Sequence, residues 1–66
     1  MDIFAYRLKQ LRQSHNLTTK QAAEELRIHL TTLQSYELGI TKPRIKIFCR
    51  IADFYKVSTN WLCGRE

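Results

Sequence analysis

The stretch TTKQAAEELRIHLTTLQSYELG, residues 18–39, decides the fold of this chain. Apolar residues recur at helical spacing in both of its halves, which predicts one helix over 18–26 and another over 30–38. Only the three residues RIH separate the two predicted helices. Two short helices joined so tightly have to cross at a steep angle, which is the geometry of a helix-turn-helix.

The ends of these two helices carry recognisable signals. Thr18 and Gln21 fit the S/T-x-x-E/Q capping box, in which each side chain satisfies a free backbone N–H of the other residue. Gly39 fits the left-handed position that commonly ends a helix. Ala22 and Ala23 lie at the centre of the first helix, where small side chains allow another helix to approach closely.

The rest of the chain also reads as helical. Apolar stripes predict helices over 3–14 and 45–55, and Ser58 is placed to cap a last short helix over TNWLC, residues 59–63. Alternation typical of strands is nearly absent. We therefore predict an all-α fold, a compact five-helix bundle in which residues 1–66 form a single domain.

The charge balance favours a polyanionic partner. Eleven Lys and Arg face six Asp and Glu, giving a formal net charge of +5. Nucleic acid is the first partner to consider and an anionic membrane the second, while a merely solvated surface is the plain alternative. The apolar runs are far too short for a membrane span, and the N-terminus lacks the features of a signal peptide, so we expect a cytoplasmic protein without membrane association.

Cysteines and histidines do not form a metal-binding pattern. Cys49 and Cys63 stand alone, and His15 and His29 do not complete the clustered pairs that a zinc site needs. The sequence is compatible with reduced thiols and with a disulfide, and the reducing cytosol favours reduced thiols. The sequence shows no nucleophile–base pair and no glycine-rich phosphate loop, so we expect no enzymatic activity, no metal and no cofactor.

A family resemblance emerges from segments that follow one another in register. RLKQLRQSHNLTTKQAAEEL, RIHLTTLQSYELG and ITKP, followed by IADFYKVSTNWL, resemble the lambdoid repressor and Cro-type helix-turn-helix proteins, the XRE family. The resemblance covers nearly the whole chain. It implies a five-helix domain that binds operator DNA, usually as a two-fold dimer, with the third helix in the major groove.

The resemblance also implies roles for individual residues. It pairs Arg12 with Glu37 as a structural ion pair that ties the first helix to the third, although direct contact with DNA is the alternative for both residues. Phosphate contacts are implied at positions that flank the third helix: Thr19, Lys20, His29, Thr41, Lys42 and Arg44.

The third helix itself has two predicted faces. Leu33, Tyr36 and Glu37 fall at i, i+3, i+4 and should point inward. The opposite side carries the residues that we predict to read bases: Leu30, Thr31, Gln34 and Ser35. An amide can bond adenine bidentately, hydroxyls can donate or accept, and a leucine can contact a thymine methyl. Contact with water alone is the alternative for Thr31 and Ser35, and an apolar contact with a partner is the alternative for Leu30 and Leu38.

Some positions depart from the family pattern. Arg27 stands where the family usually has glycine, Thr19 where it usually has glutamine, and Leu38 where asparagine is common. If the backbone at Arg27 is left-handed, a residue other than glycine costs about 1 kcal/mol there.

An apolar patch near the C-terminus predicts a dimer contact. Ile47, Phe54 and Trp61 recur at intervals of seven, and Cys63 lies beside them in sequence. Completion of the small core by Ile47 and Trp61 is the alternative. The function that these features predict is a transcriptional regulator, most simply a repressor. An antitoxin with a protein partner is the alternative, because such antitoxins also use this fold.

Overall fold

The fold consists of five helices. The structure is a computed structural model that describes residues 2–66, and its regular structure within that range is entirely helical. The helices are α1 (Ile3–Ser14), α2 (Thr19–Leu26), α3 (Leu30–Glu37), α4 (Ile45–Tyr55) and α5 (Thr59–Leu62). The predicted all-α, five-helix architecture is confirmed, and its boundaries differ from the expected ones by a single residue at three helix ends.

Side-chain caps explain where three of the helices begin. The Asp2 carboxylate accepts a hydrogen bond from the backbone N–H of Ala5 at the start of α1. Thr18 precedes α2 as its N-cap and forms the full capping box with Gln21, through bonds of 3.1 and 2.9 Å. The Ser58 hydroxyl accepts from the N–H of Trp61 and begins α5. The predicted capping box is therefore present.

Three residues other than glycine adopt a left-handed backbone next to helix ends. Asn16 follows α1 with φ 57°, Arg27 follows α2 with φ 60°, and Lys56 follows α4 with φ 57°. Arg27 thus takes the conformation for which the family usually places a glycine, at a cost of about 1 kcal/mol. Gly39, after α3, has φ 75° and provides the predicted glycine stop.

The core lies where the apolar stripes of all five helices meet. One leucine or isoleucine from each helix is fully buried: Leu8, Leu26, Leu33, Ile51 and Leu62. Helix α3 packs against α1 and α2, while α4 packs against α2 and α5. Ala22 and Ala23 are also buried, so small side chains on α2 lie inside the bundle as predicted. This packing holds α3 at the surface with one side exposed.

Two arginines join helices that are far apart in sequence. Arg50 on α4 donates a hydrogen bond of 3.0 Å to the carbonyl oxygen of Leu26 and so satisfies a free carbonyl at the end of α2. Arg7 on α1 donates to the carbonyl oxygens of Trp61 and Glu66, and its guanidinium lies 4.5 Å from the centre of the Trp61 ring. The two side chains fix the ends of α2 and α5 on the bundle.

Candidate nucleic-acid interface

Helix α3 separates an inner face from an outer face as the sequence predicts. Leu33 and Tyr36 are buried in the core. On the opposite side Leu30, Thr31 and Gln34 are exposed, whereas Ser35 is half-buried. The helix carries no Lys or Arg, so its exposed side offers hydroxyl, amide and methyl groups rather than charge.

The Arg12–Glu37 pair lies beneath this outer face. Arg12 Nε donates to Glu37 Oε2 at 2.8 Å and Arg12 Nη2 donates to Glu37 Oε1 at 3.1 Å, which is a bidentate arrangement. A third bond of 3.0 Å joins Arg12 Nη1 to the carbonyl oxygen of Leu17. The side chains are only 13% and 8% exposed, so the pair that the resemblance implied is largely shielded from water and connects α1 to α3.

A buried tyrosine belongs to the same polar cluster. The hydroxyl of Tyr55 is buried and finds no hydrogen-bond partner among residues 2–66. Burial, together with a smaller contribution from the nearby charge of Glu37, raises the pKa of Tyr55 to about 12, while the charge of Arg12 acts in the opposite direction. For Arg12, the hydrogen bond to Glu37 raises the pKa above its ordinary value against the lowering effect of burial. Tyr55 and Arg12 therefore both keep their protons at neutral pH.

A surface depression brings together residues for which different roles were predicted. Thr19, predicted to contact phosphate, and Gln34, predicted to read bases, line the same depression. Arg12 and Glu37 form part of its lining, together with Leu38 and Lys9. Lys9 was not among the predicted site residues. Its spacing of three from Arg12, which places both on one face of α1, was the signal that could have identified it.

The other predicted phosphate contacts lie exposed around α3. This group consists of Lys20, His29, Thr41, Lys42 and Arg44. His29 and Arg44 are the N-caps of α3 and α4, and in the described part of the chain neither side chain makes a capping hydrogen bond. The first N–H groups of these two helices therefore lack the side-chain acceptor that α1, α2 and α5 have. Such helix N-termini favour an anion by both hydrogen bonding and the helix dipole.

The predicted dimer contacts are only partly available at the surface. Ile47, Phe54 and Trp61 are half-buried and pack against the core, whereas Cys63 is exposed. Much of the side-chain surface of Ile47 and Trp61 therefore completes the small core, which is the alternative stated for them above. Dimer contact through the remaining exposed parts stays a prediction.

The most exposed aliphatic residues lie elsewhere, and the sequence reasoning missed two of them. Leu38 is 73% exposed, Ile40 69% and Ile45 73%. They span the end of α3, the loop after it and the first residue of α4. Thr41, Lys42 and Arg44 lie between Ile40 and Ile45 along the chain.

Within 2–66 there is no cluster of three or more His, Cys, Asp or Glu side chains placed to hold a metal ion. In the same range, every helix is too short or too polar to cross a membrane.

Known proteins are similar to this chain in sequence and in fold. The family model described as helix-turn-helix matches residues 8–62. The chain is 37% identical over 60 residues to the HTH-type transcriptional regulator ImmR of Bacillus subtilis, covering 91% of this chain and 47% of that protein. It is 39% identical over 59 residues to the cryptic phage CTXphi transcriptional repressor RstR of Vibrio cholerae, covering 89% of this chain and 53% of that protein.

A solved structure agrees with these relatives. The crystal structure of a transcriptional regulator from Listeria innocua superposes with a TM-score of 0.85 at 36% identity, covering 92% of this chain and 57% of that one. The chain thus spans about half the length of the curated relatives that it matches. The relatives are named as transcriptional regulators or repressors, which agrees with the prediction of a non-enzymatic protein. The match over residues 8–62 confirms the resemblance seen in the sequence: the chain belongs to the helix-turn-helix family, of the XRE, Cro/C1 type.

Proposed function

We propose that this protein is a sequence-specific regulator of transcription, most simply a repressor, that acts in the cytoplasm by inserting α3 into the major groove of operator DNA. The observation that carries the proposal is the exposed side of α3. In a chain with a net charge of +5, this surface has hydrogen-bonding and methyl groups but no cation. Membership of the helix-turn-helix family and relatives named as transcriptional regulators support the same conclusion.

The proposed mechanism divides the work between two groups of residues. Gln34 reads a base edge through its amide, with Thr31 and Ser35 beside it and Leu30 against a thymine methyl. The flanking residues hold the phosphates and fix the register without reading sequence: Thr19, Lys20, His29, Thr41, Lys42 and Arg44. The uncapped N-termini of α3 and α4 add backbone donors to this second group.

A two-fold dimer is part of the proposal. Two copies would place their α3 helices about 34 Å apart, one turn of DNA, and so require a palindromic operator. The exposed parts of Ile47, Phe54 and Trp61, together with Cys63, form the proposed contact. Sedimentation of the protein with and without a selected operator tests this: binding of a single copy to a non-palindromic site would contradict it.

The central experiment is selection of binding sites from random double-stranded DNA. We expect one sequence to be enriched, with an affinity for it well above that for unrelated DNA at the same salt concentration. If no sequence is enriched and affinity depends only on ionic strength, the proposal is wrong, because binding would then come from charge alone.

A matched pair of variants tests the reading residue. Gln34→Ala should remove discrimination at one base position, which is worth about 1–3 kcal/mol, and leave the salt dependence unchanged. Gln13→Ala is the control, because Gln13 is an exposed glutamine on α1 that does not line the depression beside α3. An unchanged site preference in the Gln34 variant removes this residue from the reading surface.

An antitoxin-type protein that also binds its own operator is a second candidate. The exposure of Leu38, Ile40 and Ile45 favours it, because a protein partner would bury these side chains. Copurification of one defined protein that is lost in an Ile40→Ser, Ile45→Ser variant would support this function, and recovery of the protein alone would oppose it.

A further inference from the structure

We propose that Lys9 of α1 binds a DNA phosphate beside the base that Gln34 reads, so that α1 forms part of the interface together with α2 and α3. The inference rests on the proposed function and extends it to a helix that lies outside the helix-turn-helix unit. It assigns a ligand to a side chain that was not among the predicted site residues.

The position of Lys9 is the first argument. Lys9 is exposed and lines the same depression as Thr19, at the start of α2, and Gln34, on the outer face of α3. When the Gln34 amide reaches a base edge in the major groove, the residues around it lie close to the phosphates that border the groove. A cation on the rim of the same depression therefore faces the sugar–phosphate backbone when α3 occupies the groove.

The charges in the depression are the second argument. Glu37 would repel a phosphate, but its carboxylate is bound at both oxygens by Arg12. Arg12 is in turn occupied by Glu37 and by the carbonyl of Leu17, and its side chain is only 13% exposed. Among residues 2–66, no carboxylate lies within ion-pair distance of Lys9, so this ammonium is the cation that the depression offers to a ligand.

The chemistry of lysine suits this role. Its ammonium is a compact point charge with three donors on a flexible stem, which allows it to follow a phosphate without demanding a fixed geometry. One phosphate contact contributes about 0.9 to the slope of log K against log salt concentration, and this contribution does not depend on the base sequence. Lys9 should therefore affect affinity and salt dependence but leave site preference alone.

The test compares three variants on the operator selected for the wild-type protein. Lys9→Gln removes the charge, Lys9→Arg retains it, and Lys56→Gln removes one charge from an exposed residue at the end of α4 that does not line the depression. Binding is measured by fluorescence anisotropy from 50 to 200 mM salt, after far-UV circular dichroism has shown that each variant is folded.

We expect the magnitude of the slope to fall by about 0.9 in Lys9→Gln, so that the affinity ratio between 50 and 200 mM salt narrows about 3.5-fold. Lys9→Arg should keep the wild-type slope, and Lys56→Gln should change it much less than Lys9→Gln does. An unchanged slope in Lys9→Gln, or an equal change in Lys56→Gln, overturns the inference. Failure of the proposed function can be told apart from failure of this inference. If the proposed function is wrong, the wild-type protein itself selects no preferred DNA sequence.

Discussion

The Arg12–Glu37 pair provides a quantitative test of how α1 and α3 are held together. In Glu37→Leu, Arg12 loses two charge-assisted hydrogen bonds and keeps only the bond to the Leu17 carbonyl, while remaining largely buried. Breaking a buried pair costs about 3–5 kcal/mol, because the remaining charge is left without its partner. Since both side chains retain some exposure to water, we expect a loss of about 3 kcal/mol in the free energy of unfolding.

That loss is large for a chain of this size. A domain of 66 residues has a free energy of unfolding of about 3–10 kcal/mol at typical values per residue. A loss of about 3 kcal/mol corresponds to a decrease of about 12–24 °C in the Tm of so small a domain. Urea unfolding followed by circular dichroism and by Trp61 fluorescence measures the change, and agreement of the two probes checks that unfolding is two-state.

A double variant separates the charge effect from the packing effect. Arg12→Met should cost about as much as Glu37→Leu, because it leaves a buried carboxylate without its partner. The double variant, with an apolar pair at the same place, should lose less stability than either single variant. The reasoning is refuted if both single variants stay within about 0.5 kcal/mol of wild type, the level of an ordinary surface substitution. It is also refuted if the losses simply add in the double variant, as they do at independent sites.

Three further predictions concern single residues. Arg27→Gly should raise the free energy of unfolding by up to about 1 kcal/mol, because relief of the left-handed strain exceeds the entropy that glycine adds to the unfolded chain; a lower urea midpoint would contradict this. Thr18→Ala should lower it by about 1 kcal/mol through loss of the capping box, with Thr59→Ala, an exposed threonine that is not a cap, as the control. Tyr55 has a pKa of about 12 in the folded chain against 10.0 ordinarily, so the unfolded chain loses the phenolic proton first as the pH rises. The free energy of unfolding should therefore fall between pH 10 and 12, and at about pH 11.5 it should have fallen by about 2 kcal/mol more in wild type than in Tyr55→Phe. Near pH 9 this group should make no difference to the pH dependence of either protein. The assignment is contradicted if the urea midpoints of the two proteins shift by the same amount between pH 9 and pH 11.5.

The helix order and most helix ends could be predicted from the sequence because their causes are local. The Thr18–Gln21 capping box and the glycine at 39 act within a few residues, and the helical period shows which side of α3 faces inward. The left-handed backbone at Arg27 was expected only through the family pattern, since arginine itself gives no sign of it. Family knowledge also supplied the Arg12–Glu37 pair, which joins residues 25 positions apart.

Contacts made by long side chains could not be predicted in the same way. Arg50 reaches the Leu26 carbonyl and Arg7 reaches the backbone of α5, and both contacts depend on how the helices are placed in three dimensions. Periodicity alone is equally unable to mark the edge of the core. Ile47 and Phe54 lie on the margins of a wide apolar face of α4, so their spacing of seven was compatible with both exposure and packing.

The location of the ion pair couples stability to DNA binding, and this determines how variants have to be interpreted. Arg12 and Glu37 line the depression that contains Gln34, so substitution of either residue alters both the folded fraction and the position of the proposed reading surface. A domain that starts with about 3–10 kcal/mol and loses about 3 can be partly unfolded at the temperature of a binding assay. Lost affinity in an Arg12 variant therefore does not identify Arg12 as a DNA contact. Gln34 and Lys9 are free of this ambiguity, because both are exposed and neither holds two helices together.

Added operator should raise the Tm of an Arg12 variant if its folded form still binds, since a ligand that binds only the folded state stabilises it by mass action. An unchanged Tm, at an operator concentration that saturates the wild-type protein, would show instead that the reading surface itself has been lost.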